Sequence, residues 1–585
     1  MFRCCLWDAF AQSQCDNQSL LDQCSHPEEL PMKPVWLDSY PPGIPRELDI
    51  APDETLLDMF DSSFTAWADR PAFHNLGHTL SFSEIDQLSM QFAAYLQYEL
   101  KLQRGDRVAI MMPNLLQYPV ALFGVLRAGM VAVNVNPLYT AHELEHQLQD
   151  SGAKVIIIYS GSAHVLAEII SNTDVEHALV TDVGDLLPVF KRLLVNSVVR
   201  YVKRLIPEYS LPQAVPFRAI LDIETSSYHR PQKLTGSDLA ILQYTGGTTG
   251  LSKGAMLSHT NLRANISQVN SWFGNNDVAG QEIVLTSLPL YHVYALTVNC
   301  FAFFEKGGLN ILITDPRDTA GLIKEMSRWP LTAMTGVNTL FQSLLHHPDF
   351  AKLDFSSWKV VSAGGMAMQE STAREWASIT GLQIIEGYGL SETSPVVSSN
   401  PINLEEFNGA IGLPLPATEV QIRDESGQEV PVGDPGEIYV RGPQVMLGYW
   451  QNSEATTEVL GADGFLQTGD LATIDERGYL RIVDRKKDMI IVSGFKVFPN
   501  EVENIVTGHT DIREAACIGI PDKDAGEMVK LFVVLCPGAS ITAEEIRDWC
   551  KNEMTAYKVP RLVEFIDELP KSNVGKVLRR ELRNR

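Results

Sequence analysis

Residues 239–259 read LAILQYTGGTTGLSKGAMLSH. An apolar run, 239–242, enters a segment that holds four glycines, three threonines, a serine and a lysine within residues 242–254. Glycine lets backbone N–H groups approach an anion and adopt positive φ; the hydroxyls add donors and Lys253 adds charge. The pattern predicts a phosphate-holding loop on the end of a buried strand. It is not a Walker A loop, because no Gly-Lys-Ser/Thr follows a glycine at the required spacing. A plain surface loop is the alternative, and the density of donors directly after a strand argues against it.

Around this loop, from about 80 to 320, short β-branched runs alternate with amphipathic stretches. Residues 107–112 (RVAIMM) and 154–159 (KVIIIY) are predicted strands. Residues 119–128 and 141–151 are predicted helices, the second ended by Gly152. The alternation implies parallel α/β layers. From about 410 to 485 short strands with turns at 425–427 and 432–434 predict a small antiparallel, barrel-like unit. After Arg485-Lys486-Lys487 the chain changes to an α+β pattern of its own. The predicted fold is α/β: a large N-terminal domain of layered subdomains over 32–484, then a smaller, mobile α+β domain over 485–585. Residues 1–31 read as a disordered leader, with Met32 as a candidate start.

A chain of 585 residues is too long for one hydrophobic core. Its formal net charge of −25 argues against nucleic acid as a partner, because a phosphate backbone needs a concentrated basic face. The eight cysteines lack the paired spacing of a zinc site and read as reduced thiols of a cytosolic enzyme. Residues 108–126 and 283–304 carry no Asp, Glu, Lys or Arg, yet Pro113, Pro119 and Pro289 interrupt them. Buried strand–loop–helix units account for both better than membrane spans.

The segment 244–259 resembles the phosphate signature of the adenylate-forming enzymes: acyl-CoA synthetases, peptide adenylation domains and firefly-type luciferases. Further signatures follow in that family's order: LPLYHVYAL (288–296), SAGGM (362–366), EGYGLSET (386–393), FLQTGD (465–470), VDRKKDMIIVSGFKVFPNEVE (483–503) and PKSNVGKVLRREL (570–582). The likeness covers about 33–585, and 463–487 resembles the signature element of fatty acyl-CoA synthetases. It implies an ATP-dependent, AMP-forming ligase that activates a long-chain fatty acid as an acyl-adenylate and passes it to coenzyme A. Such a reaction would feed fatty acid uptake and β-oxidation.

The resemblance also assigns roles. Tyr244, Thr245, Gly246, Gly247, Thr248, Thr249, Gly250, Ser252 and Lys253 would hold the nucleotide, with Thr245, Ser252 and Lys253 on its pyrophosphate portion. Glu392 would hold Mg²⁺, a hard cation suited to oxygen ligands. Tyr388 would stack on adenine, with Gly364, Gly365, Glu386, Gly387 and Gly389 close to the nucleotide. Asp470 would accept from both ribose hydroxyls, supported by Arg485. Lys576 would bridge the acyl carboxylate and the α-phosphate. His292 would lie near that carboxylate, although a lone histidine in an apolar run is more often a core residue. Gly336, Val337 and Gly387 would line the acyl channel, Lys487 would be the hinge of a rotating small domain, and Ser493 and Gly494 would line the pantetheine tunnel. A homodimer is left open.

Residues 186–207 (LLPVFKRLLVNSVVRYVKRLIP) contain no Asp or Glu. At helical spacing Arg192, Asn196, Arg200, Lys203 and Arg204 share one face, with Leu194, Val195, Val198, Val199, Val202, Leu205 and Ile206 opposite. Two placements compete: a helix resting peripherally on the cytoplasmic surface of the inner membrane, or a helix packed on the protein with its basic face in water.

Overall fold

The computed structural model describes residues 34–51, 53–245, 252–274, 279–523, 525–572 and 575–585. The leader 1–31, Met32 and the loop residues Gly246, Gly247, Thr248, Thr249 and Gly250 lie outside them.

The run 239–242 opens a buried strand, Leu239–Thr245, inside a seven-stranded sheet. Its neighbours are Val131–Val135, parallel, and Lys253–Ser258, antiparallel. Every residue of Val131–Val135 is buried, as a parallel strand covered on both faces requires. The predicted strands are observed at Arg107–Met111 and Val155–Tyr159. Gly152 ends the helix Ala141–Ser151 in the left-handed region, at φ 58°.

A nine-stranded sheet lies beyond. Its parallel core orders Ile384–Gly389, Val360–Ala363, Ala333–Gly336, Ile283–Thr286, Leu309–Leu312 and Pro71–Asn75, with antiparallel strands outside. The charge-free stretch 108–126 supplies all but the last residue of the helix Gln117–Arg127, which is buried at every residue, and the terminal Arg127 is paired with Asp86. The helix bridges the two sheets. The Tyr118 hydroxyl donates to Asn134 Oδ1 (2.7 Å) in the first sheet, while the Phe123 ring lies 6.3 Å from that of Phe73 in the second.

A four-stranded antiparallel sheet, Glu419–Arg423, Gly436–Arg441, Leu466–Ile474 and Leu480–Arg485, forms the small β unit. Beyond it a five-stranded sheet, with the helices Pro499–Thr507 and Ala543–Glu553, encloses its own core of Val502, Val506, Cys517, Leu531 and Ile546. No helix among the described residues is long and apolar enough to cross a membrane.

The basic segment is helical over Val189–Ser197 and continues as a π-turn over Val198–Val202. The helix packs on the protein, as the second sequence expectation has it, but its basic face is only partly in water: Lys203 and Arg204 are exposed, whereas Asn196 and Arg200 are held by the protein. Asn196 Oδ1 accepts from the Gly184 amide (2.8 Å), Asn196 Nδ2 donates to Asp185 (3.2 Å), and Arg200 pairs with Asp182 (3.4 Å). Asp182 and Asp185 draw Arg200 and Asn196 inward. Leu194, Val202 and Leu205 are left exposed.

Candidate active site

Thr245, Gly336, Ala363 and Gly389 all stand at the carboxyl ends of strands, where open α/β sheets gather their ligands. The strand containing Thr245 leads into the glycine-rich loop, and the chain returns with Lys253 opposite Thr245 in register. The two residues therefore flank the mouth of that loop. The Ser252 carbonyl is fixed by His146 Nε2 (2.9 Å). Tyr244 points elsewhere: its ring belongs to the core beneath the sheet and its hydroxyl donates to Asp150 (2.5 Å). It packs the strand, and its side chain is not presented to the loop.

Lys253 Nζ lies 5.1 Å from the centroid of the Tyr449 ring, and the Tyr449 hydroxyl donates to Glu392 Oε1 (2.8 Å). One aromatic residue thus couples Lys253, expected at the phosphates, to the carboxylate expected to take Mg²⁺. Nothing in the sequence motifs pointed to Tyr449; its placement depends on the bridge between Ala255 and Tyr449, which is long-range. Among the described residues no group of three or more His, Cys, Asp or Glu could hold a metal ion. A single half-buried carboxylate fits Mg²⁺ only in its usual enzymatic mode, shared with waters and substrate phosphates.

Asp470, the residue expected at the ribose, is well defined. Asp470 and Arg485 are cross-strand partners, and Arg485 Nε stands 3.2 Å from Asp470 Oδ1. The Tyr388 hydroxyl donates to Asp470 Oδ2 (2.7 Å). Each carboxylate oxygen keeps a further lone pair for a hydroxyl. A cavity of about 260 Å³ opens here, lined by Thr468, Gly469, Asp470, Arg485, Lys486 and Lys487.

The glycines of this region are steric necessities in two places. A Cβ at Gly389 would sit 1.9 Å from the Pro395 carbonyl oxygen, and one at Gly364 would press on the Tyr294 ring at 3.1 Å. Gly365 adopts φ 79°. Glu386 serves this loop rather than facing solvent: its carboxylate accepts the Met368 amide (3.0 Å), and burial raises its pKa to about 7. Gly387 packs against the Ser398 and Ala363 carbonyls.

Lys576 arrives from the small domain on a tight loop. Ser572 N donates to the Lys576 carbonyl (2.7 Å), Lys576 N donates to Ser572 Oγ (3.2 Å), and Lys571 bridges Val577. Gly575, at φ 79°, sits against the large domain: a Cβ there would meet Thr339 Oγ1 at 2.6 Å and Val337 at 3.6 Å. Gly336 lies just below, covered by the Phe341 ring. Burial, and then the charge of Arg485, lower the Lys576 pKa to about 7, with Asp470 opposing.

Burial, with Lys576 adding to it, also lowers His292 to about 4, so its ring is neutral at pH 7. His292 Nδ1 accepts the Tyr294 amide (3.3 Å), which leaves Nε2 to carry the proton of the neutral ring. Lys576, Arg485 and Lys487 concentrate positive charge around Asp470 in an otherwise acidic protein. Such a cleft suits an anionic, phosphate-bearing ligand.

Ser493 and Gly494 are not brought to this cleft. They form the exposed turn of a hairpin, where a Cβ on Gly494 would meet nothing within 4 Å. Lys496 of that hairpin pairs with Glu425 (3.1 Å) instead.

Residues 60–450 match the family described as AMP-binding enzyme, and residues 501–576 match the AMP-binding enzyme C-terminal domain. The chain belongs to the AMP-binding enzymes. A long-chain-fatty-acid–CoA ligase of Escherichia coli O6:H1 is 54% identical over 553 residues, covering 94% of this chain and 98% of that one. A long-chain-fatty-acid–CoA ligase of Haemophilus influenzae is 51% identical over 557 residues, again covering 94% and 98%. Among solved structures of the same architecture, ATP-bound MatB from Rhodopseudomonas palustris has a TM-score of 0.79 at 29% identity, covering 90% of this chain and 98% of MatB. The anthranilate CoA ligase AuaEII, in complex with anthranoyl-AMP, has a TM-score of 0.81 and covers 92% and 98%; at 24% identity it speaks to the fold alone.

Proposed function

We propose that this AMP-binding enzyme joins a long-chain fatty acid to coenzyme A, consuming ATP and releasing AMP and diphosphate. The observation that carries the reading is the docking of Lys576 beside the Asp470–Arg485–Tyr388 group, supported by near full-length likeness to long-chain-fatty-acid–CoA ligases.

In the first step a fatty acid carboxylate oxygen attacks the α-phosphorus of ATP. The new P–O bond forms as the bond to the pyrophosphate oxygen breaks, giving the acyl-adenylate and diphosphate. Asp470 holds the ribose, steadied by Arg485. The loop 246–251, with Thr245, Ser252 and Lys253 at its mouth, holds the departing phosphates. Lys576 stabilises charge between carboxylate and α-phosphate, and His292 offers its Nε2–H to the carboxylate. Gly336 and Val337 border the acyl side. Glu392 would hold Mg²⁺, which when bound neutralises phosphate oxygens.

In the second step the coenzyme A sulfur attacks the acyl carbonyl, the mixed-anhydride bond to AMP breaks, and the thiol proton leaves. Lys576 occupies the cleft in the first arrangement and the Ser493–Gly494 turn lies outside it, which supports two domain orientations. The boundary falls at 484/485, and rotation about Lys487 exchanges the orientations. The enzyme works peripherally at the cytoplasmic face of the inner membrane, where its lipophilic substrate collects.

A chain-length series of fatty acids with ATP and coenzyme A tests the reading. AMP and thioester should appear in equal amounts, with the highest kcat/KM for long chains. ADP as the product, or AMP without thioester, defeats it.

A further inference from the structure

The helix Val189–Ser197 and its continuation Val198–Val202 are mounted opposite to an ordinary surface helix. Their polar side chains face the protein. Asn196 and Arg200 are held by Asp185 and Asp182, while Arg192 lines a cavity of about 540 Å³ together with both acids. The apolar side faces out: Phe190, Leu193, Leu194, Tyr201, Val202 and Leu205 are between 56 and 89% exposed. Isolated exposed apolar residues are ordinary, but five on one short element, with Leu205 just beyond it, mark a surface that something covers.

We propose that this face inserts among the headgroups and upper acyl chains of an anionic lipid bilayer. This rests on the reading of a lipid-dissolved substrate and adds which residues enter the lipid. Three observations select a bilayer as the occupant. The apolar side chains surround an amphipathic ring, Tyr201, a type that settles at membrane interfaces. Lys203 and Arg204 are exposed at the same end, and residues 186–207 contain no acidic group, although the whole chain carries −25. That local charge complements anionic headgroups. The footprint also has a second point of support: Lys191 Nζ lies over Gly77, beside Leu76, which is 40% exposed.

The arrangement divides labour differently from a helix held on lipid by its whole basic face. Asn196 and Arg200 fasten the helix to the protein, and insertion of the apolar side chains provides the attachment. Lys203 and Arg204 select the lipid charge.

Flotation of the full-length protein with phosphatidylcholine vesicles, with and without phosphatidylglycerol, tests this. F190S/L194S/V202S changes exposed side chains alone and should lower vesicle binding at least tenfold. K203Q/R204Q should abolish the preference for phosphatidylglycerol while keeping most of the binding. In a third variant, Y201W, indole emission should shift to the blue on vesicles and be quenched by brominated lipid. Binding by F190S/L194S/V202S equal to that of the parent protein overturns the proposal, as does an unshifted Y201W emission. So does a concentration-dependent mass increase without lipid that the same triple substitution removes, since a second copy would then be the occupant. Ligation of a fatty acid dissolved below its solubility limit should be equal in the parent and the triple variant. Its absence in both would instead sink the ligase reading and leave the vesicle result standing.

Discussion

Lys576→Ala is expected to slow acyl-adenylate formation by about 10²–10³-fold, the usual loss when one preorganised charge-stabilising group is removed. The reason lies in how the lysine is held. Its loop is pinned by the Ser572–Lys576 hydrogen bonds, and Gly575 rests on Thr339 of the large domain, so the backbone that carries the ammonium is in place before substrate arrives. Burial lowers its pKa to about 7, which means the empty cleft disfavours the charge that the α-phosphate would restore. The expected pattern is a split between half-reactions. Fatty-acid-dependent exchange of labelled pyrophosphate into ATP should collapse, while thioester formation from supplied acyl-AMP and coenzyme A should remain within a few-fold of the parent rate. Equal loss in both half-reactions would show that Lys576 serves general integrity instead.

The second large effect concerns the ion cluster behind that loop. Arg579 Nη2 lies 2.8 Å from both Glu503 oxygens and 2.8 Å from Asn500 Oδ1, and Arg583 pairs with Asp488 at 2.8 Å. Burial raises the Glu503 pKa, with Arg579 opposing, and burial raises Asp484 to about 6. Asp484, on the last strand of the small β unit, accepts the Asn500 amide at the start of the helix Pro499–Thr507 (2.8 Å). The cluster therefore fastens the helix Arg579–Arg583, three residues beyond Lys576, to Asp488 and Glu503. Arg579→Leu strands the Glu503 carboxylate with one backbone donor, Cys517 N (2.7 Å), and should destabilise the small domain by ~3–5 kcal/mol. Urea denaturation followed by proteolysis of the small domain measures it. Combining it with Glu503→Leu should recover much of the loss, because the uncompensated charge goes too. A change under ~1 kcal/mol in the single variant would contradict the assignment.

Much of this was legible before the structure because the chemistry is local. Alternating β-branched and amphipathic runs located the parallel layers, and Gly152 ended its helix as its lack of a side chain predicts. The strand that feeds the loop at 244–254 follows from a short-range pattern, whereas the returning strand Lys253–Ser258 was not predicted and the association of Asp470 with Arg485 came only from the family resemblance. What the sequence hid is set by long-range packing. Tyr449 reaches Glu392 and Lys253 only because distant strands meet, and Tyr244 turns to the core because Asp150 waits for its hydroxyl. Glu386 looks like a nucleotide ligand in its motif, yet it holds the Met368 amide. Helical periodicity grouped Asn196 with Arg192 and Arg200 but misplaced the outward side of 186–207: Phe190, Leu193 and Tyr201, assigned to neither face, are exposed, Val195 packs on the core, and the pattern could not say which side faces the protein. Asp182 and Asp185 decide that.

The most direct test is the reactivity of Lys576 itself. A lysine with a pKa of about 7 is roughly half neutral at pH 7, whereas an ordinary lysine is almost wholly charged. Brief treatment of the parent enzyme with an amine acylating reagent, followed by peptide mass mapping, should label Lys576 ahead of the exposed lysines. A non-hydrolysable acyl-adenylate analogue should then protect it. Labelling of Lys576 at the rate of surface lysines, unchanged by the analogue, would contradict a lysine carried from the small domain into the reaction cleft.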